Sequence, residues 1–180
     1  MQASPVTLQL HATPAAGFDE PFEMLHACHE RVQRMLGLLQ RLADHLVQHG
    51  ADAQAVDAAR DVLRYFDRAG PAHHEDEERH VLPRLREAGA TALADRLHAD
   101  HLEMSAQWER LRSRLAPLAD HGAAPAPLLA PEAARFAELY RGHIEAEEAV
   151  AYPLAAAAMA GDALAAMGEE MAARRGLRPA

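Results

Sequence analysis

One pattern occurs twice in this chain: His73-x3-Glu77-Glu78-x4-Pro83 and His143-x3-Glu147-Glu148-x4-Pro153. Each copy lies in sequence whose apolar residues recur at steps of three and four, the signature of an amphipathic helix. Residues four apart on a helix stand one above the other on the same face, so each copy presents one imidazole and one carboxylate to a common point. Two such pairs on the apolar side of two helices constrain the fold, because they need a shared partner.

Gly and Pro clusters divide the rest of the chain into four long helices and a short one. The first is expected from about Glu20 to His49, with Asp19 as N-cap, Pro21 in the first turn and Gly50 as stop. Its stripe is Phe22, Leu25, His29, Val32, Leu36, Leu39, Ala43 and Leu46. The second runs from near Asp52 to just before Gly89, with Leu63, Phe66, Gly70, His73, Glu77, Val81 and Leu85 on one face. Pro71 and Pro83 fall inside it, and each removes a backbone donor and crowds the carbonyl one turn back. A kink or break near the motif is therefore expected. The third runs from about Thr91 to Leu118, with Leu97, His101, Met104, Trp108, Leu111 and Leu115 inward. The fourth starts between Leu128 and Pro131 and carries Phe136, Tyr140, His143, Glu147, Val150 and Leu154. A shorter helix, about Asp162 to Arg175, presents Leu164, Met167 and Met171. Short connections make neighbours antiparallel. The expected architecture is all-α: an arm over residues 1–18, an up-down-up-down four-helix bundle over 19–159, and a C-terminal helix and tail over 160–180.

A histidine stands in the apolar seam of each long helix, where Leu or Val is the ordinary occupant: His29, His73, His101 and His143. At about 1.5 Å rise per residue, counting from the turns puts all four within about a turn and a half of one height, roughly 8 Å. Burying an unpaired polar group costs on the order of 1 to 3 kcal/mol, and an unpaired carboxylate more. Four imidazoles and two carboxylates in one core layer therefore require compensation, which divalent metal supplies.

Charge and composition narrow the function. Eighteen basic against twenty-seven acidic side chains leave a formal charge of −9, and no basic stripe or stacking-aromatic cluster interrupts it, which argues against a nucleic-acid partner. No positive leader and no apolar run of about 20 residues is visible, so neither secretion nor a membrane is indicated and a soluble, cytoplasmic protein is expected. The single cysteine, Cys28, excludes an internal disulfide and suits a reducing compartment. Nothing identifies a protein partner.

These residues resemble the hemerythrin-like, or HHE cation-binding, domains, which are four-helix bundles around a non-haem di-iron centre. The resemblance spans about Glu20 to Met159. It is carried by Cys28-His29-Glu30-Arg31, by His73-His74-Glu75-Asp76-Glu77-Glu78 with Val81-Leu82-Pro83, by Asp100-His101, and by His143-Ile144-Glu145-Ala146-Glu147-Glu148 with Tyr152-Pro153. It implies His29, His73, His101 and His143 as terminal ligands of two irons, and Glu77 and Glu147 as carboxylates bridging them. The oxygen-carrying members have a second histidine on the third helix, which here falls at Leu97 or Ser105, so one imidazole of their five is missing unless His98 or His74 supplies it. Four His and two Glu look more like the di-iron centres of iron-sulfur-cluster repair proteins and of iron- or oxygen-sensing members.

His74 and Glu78 form a competing pair one residue along; alignment of the two copies through Pro83 and Pro153, and the seam, favour His73 with Glu77. Glu78 and Glu148 read as rim carboxylates able to orient an imidazole. Imidazole plus carboxylate without thiolate suits iron, with zinc or manganese as substitutes. The expected function is a di-iron protein that binds or senses dioxygen or a related diatomic or peroxide ligand, or handles iron; the alternatives are a metal-stabilised interaction scaffold and an iron reservoir or donor. No general acid or gating loop marks it as an enzyme.

Overall fold

The computed structural model describes residues 17–124 and 129–177. Residues 1–16, most of the expected arm, lie outside the described residues, as do 178–180 of the tail and Leu128, one expected start of the fourth helix. Helices account for nearly all the rest: α1 (Pro21–His49), α2 (Ala53–Phe66), α3 (Ala69–Asp76), α4 (Leu82–Glu87), α5 (Thr91–His121), α6 (Leu129–Ala146), α7 (Tyr152–Ala157) and α8 (Gly161–Arg174). Five-residue π turns, Glu77–Val81 and Glu147–Ala151, splice α3 to α4 and α6 to α7. Four rods result: α1, the α2–α4 run, α5 and the α6–α7 run. α1 and α5 each pack against both α2 and α6, so consecutive rods are neighbours and the last closes on the first. This is the all-α bundle expected.

The starts and stops follow local chemistry. Pro21 opens α1 behind Glu20, not Asp19, and Glu20 makes no side-chain capping bond. Asp52 caps α2 by accepting the Ala55 N–H at 2.9 Å, a contact that satisfies one of the orphan donors of the first turn. Gly50 (φ 77°) and Gly122 (φ 66°) end α1 and α5 with positive φ, which costs a residue without Cβ nothing. α5 runs on to His121, past the expected end at Leu118 and through Pro117.

The second rod is broken rather than kinked. Asp67 and Arg68 separate α2 from α3, so Pro71 falls in the first turn of α3, where its missing N–H needs no partner. Asp67 is pinned there by the Trp108 indole and the Arg112 guanidinium, each donating at 3.0 Å. The inward face of α2 is Ala55, Ala59, Val62 and Phe66; Leu63 is only partly buried, a correction to the expected stripe.

Pro83 has a different effect from the kink or break expected, and Pro153, for which none was expected, shares it. The Leu82 and Tyr152 N–H groups reach back five residues to the Glu77 and Glu147 carbonyls, so each helix widens by one residue just ahead of a proline. The widening relieves the clash that the ring makes with the carbonyl four residues back. It also shifts the inward face by one position. Beyond Glu147 the core is filled by Ala151, Tyr152 and Ala155, whereas Val150, expected inside, is 50% exposed.

Two apolar clusters lie along the bundle. One gathers Val32, Leu39, Phe66, Met104, Trp108, Leu115, Phe136 and Tyr140; the other gathers Leu25, Val81, Leu82, Leu85, Leu97, Tyr152, Met167 and Met171. On every rod the seam histidine falls between them, at His29, His73, His101 and His143. The C-terminal α8 completes the second cluster with Met167 and Met171. It is held by Arg174 and Arg175, which pair with the fully buried Asp76, and by Gly168, where a Cβ would collide with the Phe18 carbonyl. The apolar face of this last helix is thereby covered by the bundle itself.

Candidate metal centre

Between the two clusters the bundle holds a polar layer that is almost dry. His29, His73, His101 and His143 are 1–4% exposed, and Glu77 and Glu147 are 0%. The donors fall into two groups that share both carboxylates: His29, His73, Glu77 and Glu147, and His101, His143, Glu77 and Glu147. Within each group the donor atoms lie within 4.8 Å of one another.

The carboxylates divide their oxygens between the groups. Glu77 turns Oε1 to His73 Nε2 at 3.2 Å and Oε2 to His101 Nε2 at 3.3 Å. Glu147 turns Oε2 to His29 Nε2 at 3.2 Å and Oε1 to His143 Nε2 at 3.1 Å. Two donors each about 2.1 Å from one cation, at right angles, are roughly 3.0 Å apart, so these separations are those of neighbouring ligands. Glu77 Oε2, both oxygens of Glu147 and Nδ1 of His73 make no hydrogen bond despite burial. Orphaned buried carboxylate oxygens of this kind are costly unless something else satisfies them, and a cation in each group would do so. The residues present fit a metal pair.

Nδ1 of three of the four seam imidazoles has an outer partner, and only His73 lacks one. Glu148 accepts from His29 at 3.0 Å, Glu78 from His101 at 2.7 Å, and Asp100 lies 3.4 Å from His143. A proton fixed on Nδ1 leaves the Nε2 lone pair facing inward. The same carboxylate oxygens reach a further, more exposed histidine, His98 beside Glu78 at 2.8 Å and His26 beside Glu148 at 3.4 Å.

Charge balance without a cation is uneven. Burial alone pushes His29 down, but the Glu147 and Glu77 carboxylates outweigh it and hold the imidazole up at about 10. His101 is likewise raised against burial, by Glu77 and Glu78, to about 9. Burial dominates at His73 and lowers it. Burial also disfavours the Glu77 anion, yet His73, His101 and His29 together hold it well below the usual carboxylate range.

The second-tier candidates take other places. His98 belongs to the outer carboxylate contact just described. His74 stacks on His101, with ring centroids 4.3 Å apart, and lies 3.4 Å from the Tyr140 hydroxyl; burial and the neighbouring His101 push it well below its ordinary value. Neither joins the two donor groups, and Glu78 faces His98 and His101 rather than pairing with His74. Leu97 is core and Ser105 donates to the His101 carbonyl, so α5 offers one imidazole to the layer.

The sequence matches the hemerythrin HHE cation-binding domain over residues 20–155. The chain belongs to the hemerythrin HHE cation-binding family. It is also 34% identical, over 162 residues covering 89% of this chain and 92% of the relative, to an uncharacterised protein of Haemophilus influenzae. This hemerythrin-like bundle and its buried His/Glu layer mark the chain as a metal-binding protein. Among the described residues no helix is long and apolar enough to cross a membrane.

Tyr152 stands in the sequence motif beside Pro153 but was given no role in the site. Its hydroxyl donates to Glu77 Oε1 and lies 3.0 Å from His29 Nε2, and its ring is 2% exposed. Burial, then the Glu77 and Glu147 charges, push the phenol well above its ordinary value. Helical spacing puts residue 152 off the ligand face; only the π turn brings it back. His26, which lies off the seam and reads as an exposed histidine, and Asp100, which stands beside His101, were likewise given no role, because outer contacts between rods leave no spacing signal.

Proposed function

We propose that this hemerythrin-like protein holds two irons, bridged by Glu77 and Glu147, one ligated also by His29 and His73 and the other by His101 and His143, and that it binds or senses dioxygen or a related diatomic or peroxide ligand. The sharing of both buried carboxylates between two pairs of imidazoles, with opposite oxygens turned to each, carries the reading. Each position has four protein donors. That number would saturate tetrahedral zinc but leaves positions open on a six-coordinate ion such as iron. Bound there, an iron pair supplies redox capacity and room for a small ligand.

The chain's own residues prepare the site. Glu78 and Glu148 accept the Nδ1 protons of His101 and His29 and so fix both rings with Nε2 inward. The apolar clusters above and below keep bulk water from the layer, which strengthens its electrostatics. Asp100 steadies His143 from α5. The lone thiol of Cys28 suits a cytoplasmic setting.

Metal analysis of protein purified without added metal tests the reading, with two irons per chain expected and a visible spectrum that changes reversibly on deoxygenation and reoxygenation. Tightly held, spectroscopically silent zinc would instead support a metal-stabilised scaffold. Rapid loss of iron to a weak chelator would support an iron reservoir or donor.

A further inference from the structure

The donor set above leaves one buried polar group aimed into the layer unused. The Tyr152 hydroxyl lies 3.0 Å from His29 Nε2 and against Glu77 Oε1. Both residues belong to the donor group of His29, His73, Glu77 and Glu147. The phenol oxygen therefore approaches the same point from a further side, at the separation of roughly 3.0 Å expected of donors sharing a first-row cation. The Tyr152 and His29 rings run nearly parallel, 10° apart with centroids 5.3 Å apart, and their polar atoms meet at 3.0 Å.

The internal repeat isolates this residue. Laying one motif on the other pairs His73 with His143, Glu77 with Glu147, Glu78 with Glu148 and Pro83 with Pro153. On the partner rods His26 and His29 pair with His98 and His101, and each couple shares a motif glutamate. Tyr152 pairs with Leu82, which is fully buried and has no donor atom. Both π turns bring the residue before proline inward, and only the second places an oxygen there.

We propose that Tyr152 Oη is a further protein ligand, as phenolate, to the cation held by His29 and His73, which makes the two metal positions chemically unequal. On coordination the phenolic proton passes to bulk buffer, and no electron moves. The proposal rests on the di-iron reading and deepens it.

Resonance Raman spectroscopy of the full chain loaded with two irons and oxidised in air tests it. Tyrosinate ring modes enhanced within a visible charge-transfer band are expected, lost in Tyr152→Phe with both irons retained, and kept in Tyr140→Phe, which removes the other buried phenol near the layer. Two bound irons without such modes, or modes that survive Tyr152→Phe, overturn the proposal and leave the di-iron reading standing. A chain that takes up no iron pair overturns both. Should Tyr152→Phe fail to fold, wild-type protein stripped of metal and titrated with gallium(III) decides: one equivalent of tyrosinate ultraviolet difference absorbance is expected, and none overturns the assignment.

Discussion

Glu78, on the second rod, places Oε1 2.7 Å from Nδ1 of His101 on α5, so the glutamate next to a carboxylate shared by both donor groups orients an imidazole of the neighbouring helix rather than its own. The second motif repeats the relation across the bundle, from Glu148 to His29 at 3.0 Å. Each motif thus gives its histidine to one donor group, shares its first glutamate between the two groups, and braces another rod with its second.

Removing that brace is expected to loosen metal without abolishing the fold. Glu78→Ala and Glu148→Ala should each weaken metal affinity by about 10- to 100-fold, the usual effect of losing a group that orients a ligand imidazole. Competition with a chelator of graded strength measures this. Unchanged affinity in both variants would remove the orienting role.

If the shared carboxylates bridge two ions as proposed, losing one should have a larger and qualitatively different effect. Glu77→Ala or Glu147→Ala takes one oxygen from each position at once, so the bound metal should fall from two ions per chain toward one or none. His73→Ala, by contrast, strips a donor from one position only and should leave the other ion in place. Stoichiometry by elemental analysis separates the two patterns, and equal losses in all three variants would contradict the sharing of carboxylates.

The histidines predict a pH dependence that metal loading removes. In protein stripped of metal, His29 at about 10 and His101 at about 9 are raised above the ordinary value of about 6.5. A raised histidine contributes stability that is fully present below the unfolded pKa and is lost as pH rises through the folded one. The stripped protein should therefore lose stability from about pH 7 to pH 10, by roughly 5 °C or more in Tm. Metal replaces those protons, so the loaded protein should not show this loss, and loading near pH 7 should release protons to the buffer. Thermal melts across this range check the sign, and a stripped protein that gains stability toward pH 10 contradicts it.

The seam made the centre legible in the sequence. A histidine replacing Leu or Val at the same height on each rod survives every small error in helix boundaries, because burial and height vary slowly along a rod. His29, His73, His101, His143, Glu77 and Glu147 accordingly meet in one layer. What the sequence hid lies where 3.6-residue periodicity fails or does not apply. The break at Asp67 and Arg68 depends on Trp108 and Arg112 from another rod. The inward turn of Tyr152 depends on a π turn, whose sole local sign is a proline that equally suits a kink. Contacts such as Asp100 with His143 join rods remote in sequence and obey no local spacing.

The register change across the second π turn yields a last prediction, at two adjacent residues. On a regular helix Val150 continues the stripe of Tyr140, His143 and Glu147, and a lysine there would bury a charge. In the structure Val150 is 50% exposed, while Ala151 is 0% exposed and belongs to the apolar cluster beneath the centre. Val150→Lys should then change stability by no more than about 0.5 kcal/mol, as is usual for a surface position. Ala151→Lys forces an ammonium and four methylenes into a filled core and should cost about 3 kcal/mol or more, roughly 6 to 12 °C in Tm. Denaturant melts of the two variants, both loaded with metal, measure the difference. The reverse order would place a regular α-helix through Glu147–Ala151 and turn Tyr152 away from His29.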